Sequence, residues 1–91
     1  MQISFDAGKN ERNIADRELP FVLVEQLDWA TALITQDTRK SYGEERFRVL
    51  GFIGDRLHAV VFTPRTGKVH VISLRKANSR EVKHYEETSK P

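Results

Sequence analysis

The stretch VHVISLRKANSREVKHY, residues 69–85, decides the fold. Val69, Val71 and Ile72 are β-branched and Leu74 adds another apolar side chain, which suits a strand buried on at least one side. Arg75 and Lys76 close that strand. Asn78 then opens a helix, with Glu81 three residues later in a variant of the capping box. Arg75, Lys76, Arg80 and Lys83 therefore gather around one strand-to-helix junction. Such a junction combines backbone N–H groups, a helix dipole and mobile cations, which together make a phosphate-binding corner.

Working outward from that corner, PRTGK (residues 64–68) reads as a turn and residues 56–63 as a strand. Gly54-Asp55 is a two-residue turn that pairs this strand with residues 46–53. In the latter, Phe47, Val49, Gly51 and Ile53 point one way, and Arg46, Arg48, Leu50 and Phe52 the other. Three strands joined by such turns form an antiparallel meander. Earlier still, residues 36–43 are polar and loop-like, and residues 31–35 favour a strand led by Trp29 and Ala30. Pro20 suits the first turn of a second helix, with Phe21, Val24 and Leu27 as its buried stripe. Asp6 caps a first helix, residues 7–16, whose only large apolar residue is Ile14. Residues 2–5 read as an edge strand. The expected order is β-α-α-β-β-β-β-α: a single α+β domain over residues 1–91 with an antiparallel sheet and a flexible polar tail at 86–91.

Composition narrows the class. Ninety-one residues are enough for one core. There is no cysteine, so neither a disulfide framework nor a thiolate metal site is available. No apolar run approaches the ~20 residues of a membrane span and no secretory signal opens the chain, so a cytoplasmic protein with no membrane partner is expected. The net charge of +2 is unevenly placed. Residues 1–38 hold 3 basic and 7 acidic side chains, whereas residues 39–83 hold 11 and 4, a block of +7. A segregated basic half suits a nucleic-acid partner, and equally suits charges that only solvate strand faces and turns.

Several chemistries drop out. His58, His70 and His84 have no metal-ligand spacing, no glycine-rich phosphate loop is present, and no serine sits in a nucleophile elbow. No metal or cofactor is expected. Ser73 and the strand histidines His58 and His70 also fit purely structural roles, the two histidines facing each other or water across adjacent strands. What remains is an array of Arg, Lys, Glu, His and Tyr. That array suffices for RNA phosphodiester cleavage, where the substrate's own 2′-hydroxyl attacks. The protein then has to orient the phosphate, stabilise developing negative charge and help protons move. Arginine forks serve the second task, and His, Glu or Lys must serve the third.

Three motifs, FDAGKNERN (residues 5–13), YGEERFRVLGF (residues 42–52) and VISLRKANSREVKHY (residues 71–85), resemble the BrnT family of bacterial toxins in order and spacing. The resemblance implies a RelE-like fold and a small ribonuclease that blocks translation when free. It also implies a BrnA-like antitoxin with a ribbon-helix-helix part, through which alone the complex contacts its DNA operator. On the family pattern, the opening Asp, Lys and Asn fall on Asp6, Lys9 and Asn13, and the Glu-x-Arg on Glu44 and Arg46. The last motif supplies Ser73, Arg75, Lys76, Glu81 and Tyr85. Many members follow the Asn with Lys-His-Gly, whereas this chain has Asp16-Arg17-Glu18. Arg17 binds phosphate but exchanges no proton near neutral pH.

The expected catalytic set is accordingly Arg75 and Arg46 for phosphate charge, with Lys9, Glu44 or His70 for protons. Lys76, Arg48, Arg80, Lys83, Arg17 and Asn13 are the expected RNA or phosphate contacts. The competing expectation is a non-catalytic module that binds antitoxin or RNA and has lost cleavage with the Asp16-Arg17-Glu18 change. A third is that the basic junction only salt-bridges its own helix, through Glu81 or Glu44, with Arg75 fully paired and buried.

Overall fold

Side-chain periodicity and turn chemistry set the elements. In the computed structural model, which describes residues 2–39 and 41–89, strand β1 (Ile3–Phe5) leads into helix α1 (Ala7–Arg17) and a 3₁₀ helix (Phe21–Gln26). Strands β2 (Leu33–Gln36), β3 (Phe47–Ile53), β4 (Arg56–Arg65) and β5 (Lys68–Lys76) follow, and helix α2 (Ser79–Thr88) ends the domain. The sheet order is β1-β5-β4-β3-β2. β3, β4 and β5 form the antiparallel meander, with β2 antiparallel on the far side of β3. β1 runs parallel to β5, pairing Ile3 with Val69 and Phe5 with Val71. The sheet is therefore mixed rather than antiparallel throughout. β1 and β5 are far apart in the chain, so no hairpin turn constrains their relative direction.

Two further expectations change. The apolar stripe Phe21, Val24, Leu27 belongs to a 3₁₀ helix, not to a second α-helix. A spacing of three matches the 3₁₀ repeat of three residues per turn and stacks these side chains in one line. Leu23 and Leu27 accordingly donate their N–H groups to the carbonyls of Pro20 and Val24. The β4–β5 turn is also tighter than five residues. β4 runs through Pro64, opposite Val69, and the chain reverses at Thr66 and Gly67, both with positive φ (47° and 73°). That is the backbone of a two-residue hairpin whose twist matches the strands. Of the tail expected at 86–91, residues 86–88 are the last turn of α2, and residues 90 and 91, like Lys40 in the 36–43 loop, lie outside the described residues.

One face of the sheet carries the main core. Val49, Val60, Phe62, Val71 and Leu74 meet Leu19, Phe21, Val24 and Leu27 from the preceding segments. Gly51 completes the fit, because a Cβ there would stand 3.1 Å from Leu27 Cγ. The opposite face is covered over only part of its area. There α2 lays Val82 and Tyr85 on Leu50, Phe52 and Leu57. The Tyr85 hydroxyl donates to the Thr31 carbonyl at 2.8 Å and its ring meets Phe52 edge-on.

Strand β5 does not alternate regularly. Val61 pairs with Ser73 but Phe62 pairs with Val71, leaving Ile72 as an extra, bulged residue. The bulge lets Val71 and Leu74, three apart, both enter the main core. It also turns Ser73 and Arg75 to the opposite face, beside α2. Strict alternation would have kept Val71 and Arg75 on the same side. Beyond β1, the outer edge of β5 is closed by α1, where the Asn13 amide donates to the Leu74 and Leu19 carbonyls (3.0 and 2.8 Å).

Candidate functional site

Because α2 covers only one end of its sheet face, a cavity of about 430 Å³ is left beside it. Its floor is apolar, with Leu33, Leu50, Ala59 and Val61. Its rim carries four guanidinium groups, Arg39, Arg48, Arg75 and Arg80, together with Ser73, Glu81 and His84. Each is positioned by a local rule. Arg48 alternates outward from core-facing Val49. Arg75 is turned to this face by the Ile72 bulge. Arg80, Glu81 and His84 lie within one turn of α2.

The capping box at Asn78 sets the first turn of α2. The Asn78 side chain accepts from Glu81 N–H at 2.8 Å, and Glu81 accepts from Asn78 N–H at 3.0 Å. The same Glu81 carboxylate grips Arg75 through a two-pronged fork of 2.7 and 2.9 Å. That fork holds the Glu81 carboxyl below its usual range, reinforced by the Asn78 N–H and the nearby Arg48 charge and opposed by burial. Arg75 is raised in turn by the same carboxylate. Arg75 is thus paired but not buried, its side chain 38% exposed. A guanidinium carries five N–H donors, so the two donated to Glu81 and a longer one to the Lys76 carbonyl (3.4 Å) leave others for a ligand. Arg48 and Arg80 form no ion pair among the described residues.

Arg39 reaches the rim from the 36–43 loop. Its Nε and Nη2 fork onto Asp37 at 2.9 and 2.8 Å, and Tyr42 Oη adds a longer contact of 3.3 Å. Asp37 is buried, and the fork from Arg39 holds its carboxyl far below the usual range against the opposing effect of burial.

The residues expected from sequence separate into groups. Arg48, Arg75 and Arg80 converge on the cavity. Arg46 does not line it. Its guanidinium stacks 4.0 Å from the Tyr42 ring centre, beside an open recess that Glu44 shares. Glu44 pairs with Arg65 at 3.2 Å. His70 pairs in register with Thr63, four residues along β4 from the partner of Arg75, a distance of about 13 Å. It bonds Ser4 Oγ at 2.9 Å, and burial first, then Arg65, lowers its basicity. Glu44, Lys9 and Asp6 also lie within electrostatic reach of that ring. Lys9, Glu44 and His70 thus lie outside the cavity, with Lys9 and Glu44 in electrostatic reach of the His70 ring. Lys76 and Lys83 flank the junction without lining the cavity, Arg17 is exposed at the end of α1, and Asn13 is held by backbone carbonyls. His58 and His70 do not face each other, since His58 pairs with Lys76.

Two rim residues stand outside the expected set. His84 had a usable signal, its helical spacing of three from Glu81 and four from Arg80. Arg39 had none, because it comes from a loop without periodicity.

Fold and cavity together define a class: a small mixed-sheet α+β domain with a cationic cavity over one sheet face. Comparison with known families refines it. Residues 5–81 match the ribonuclease toxin, BrnT, of type II toxin-antitoxin systems. The chain belongs to that family. A comparison with curated proteins finds no match. No helix among the described residues is long and apolar enough to cross a membrane.

Proposed function

We propose that this chain is the toxin of a type II toxin–antitoxin pair and cleaves RNA at the cavity beside α2. The observation that carries the reading is the convergence there of Arg39, Arg48, Arg75 and Arg80, two of them without a carboxylate partner among the described residues. Arg48 and Arg80 take phosphate oxygens, while Glu81 holds Arg75 at a fixed angle so that its remaining N–H groups face the same phosphate. The apolar floor receives a base or ribose. The 2′-hydroxyl of the substrate is the nucleophile, and the guanidinium groups supply the positive charge, so the reaction is metal-independent in this reading. Among the described residues no three His, Asp or Glu side chains are grouped to hold a metal ion.

In this reading the free toxin acts in the cytoplasm and inhibits translation. A BrnA-like ribbon-helix-helix antitoxin neutralises it, and operator DNA is contacted only through that antitoxin. Incubating the purified protein with RNA, with and without the antitoxin, tests this. Cleavage that the antitoxin suppresses, and that falls about 100-fold in Arg48→Ala or Arg75→Ala, is expected. A folded preparation that cleaves no RNA at any ratio overturns it. That result would favour the non-catalytic binding module expected from the Asp16-Arg17-Glu18 change, whereas the Arg75–Glu81 fork supports the separate reading in which the junction only pairs with its own helix.

A further inference from the structure

We propose that His84 is the proton-transfer residue of this cavity, a role that rests on the ribonuclease reading above. His84 lines the same cavity as Arg48, Arg75, Arg80 and Ser73. It is solvent-exposed on α2, and no hydrogen bond or ion pair among the described residues engages its ring. The family match ends at residue 81, and the residues that the resemblance carries over from the last motif do not include His84.

The other candidates in the cavity are unsuited to carrying a proton. Arginines remain charged throughout the neutral range. Glu81 has both oxygens on Arg75 and one also on the Asn78 N–H, which stabilises its ionised form and weakens it as a base. Ser73 has no base bonded to it among the described residues. The acid–base residues Lys9, Glu44 and His70 do not line the cavity, and His58 is buried with Nδ1 on the Arg56 carbonyl. An imidazole is the side chain suited to accept and release a proton near pH 7. Its place on a capped helix, with Tyr85 anchored next to it, keeps it over the rim.

The step balances as follows. The neutral imidazole of His84 accepts the 2′-hydroxyl proton as the O2′–P bond forms, and the P–O5′ bond breaks. The departing 5′ oxygen takes a proton from solvent, leaving a 2′,3′-cyclic phosphate and a 5′-hydroxyl. The imidazolium then returns its proton to solvent. Arg48 and Arg80 neutralise the non-bridging oxygens throughout.

The test compares the wild-type protein with His84→Ala and His84→Gln. It measures cleavage of an RNA oligonucleotide across pH 5 to 9 and binding of the same strand with 2′-deoxy sugars. Cleavage in both variants is expected to drop about 100-fold or more, with loss of the acidic limb of the pH profile and partial rescue of the alanine variant by added imidazole. Binding of the 2′-deoxy strand is expected to stay within about twofold of wild type. Variants that cleave like wild type with the acidic limb intact overturn the role of His84 and leave the ribonuclease reading standing. A cleavage loss matched by an equal loss of binding, with the limb retained, overturns proton transfer in favour of phosphate binding. A folded wild type that cleaves nothing overturns both.

Discussion

Glu18 and Thr66 hold left-handed backbone, with φ of 59° and 47°. Side chains with a Cβ adopt that region at a cost of about 1–2 kcal/mol. At Thr66 the β-branch makes the fit worse. Thr66→Asn places Asn-Gly in the β4–β5 hairpin and is expected to raise stability by about 0.5–1 kcal/mol in urea unfolding. Glu18 caps the C-terminus of α1, its N–H donating to the Ile14 carbonyl. Glycine enters this left-handed region without a Cβ penalty, and Glu18→Gly is expected to gain a similar amount in the same measurement. His58 supplies a pH dependence. Burial first, then the charges of Arg56 and Lys76, push its basicity below the ordinary imidazole value. The unfolded chain therefore binds the proton more readily than the native one. Stability should hold above about pH 6.5 and fall as pH drops from there through the lowered native value. Chemical denaturation at pH 7 and pH 5 should show this loss, and His58→Leu should reduce it, leaving the part that the similarly lowered His70 contributes.

At the scale of elements, α2 is the part on which the site depends, and its start was the most legible part of the chain. The pair Asn78 and Glu81 announces a capped helix because capping is a local interaction over three residues. The 3₁₀ helix was readable as a buried stripe but not as a 3₁₀ helix, since a spacing of three fits both helix types over one or two turns. What holds α2 in place was not readable at all. Tyr85 reaches the Thr31 carbonyl across 54 positions of sequence. Tyr85→Phe is expected to cost about 1–2 kcal/mol, leaving that carbonyl unpaired. Asn78→Ala should cost about 1 kcal/mol. Thermal unfolding by circular dichroism measures both. Under the proposed function, Tyr85→Phe should also weaken cleavage, because it loosens the helix that carries Arg80 and His84.

For the whole molecule, the basic block of residues 39–83 was visible as composition, but composition does not tell a cluster from a scatter. The fold sorts it. Arg39, Arg48, Arg75 and Arg80 share one cavity, whereas Arg46, Arg65 and Lys68 lie elsewhere. If the cavity holds the RNA backbone, Arg48→Ala and Arg80→Ala should each lower the slope of log K against log salt by about 0.7 for a single strand. Lys68→Ala, at the far hairpin, should leave the slope unchanged. Fluorescence anisotropy across a salt series reads this out. By itself the sequence determined the hairpin partners, the N-caps Asp6 and Asn78, the α+β class and the family, because each rests on contacts or motifs between chain neighbours. Only the tertiary structure decided the parallel pairing of β1, the Ile72 bulge that sends Arg75 to the opposite face from Val71, and the meeting of Arg48 with His84. Those depend on which distant surfaces pack best. A one-residue slip in a strand changes every side chain's face while leaving its local pattern the same.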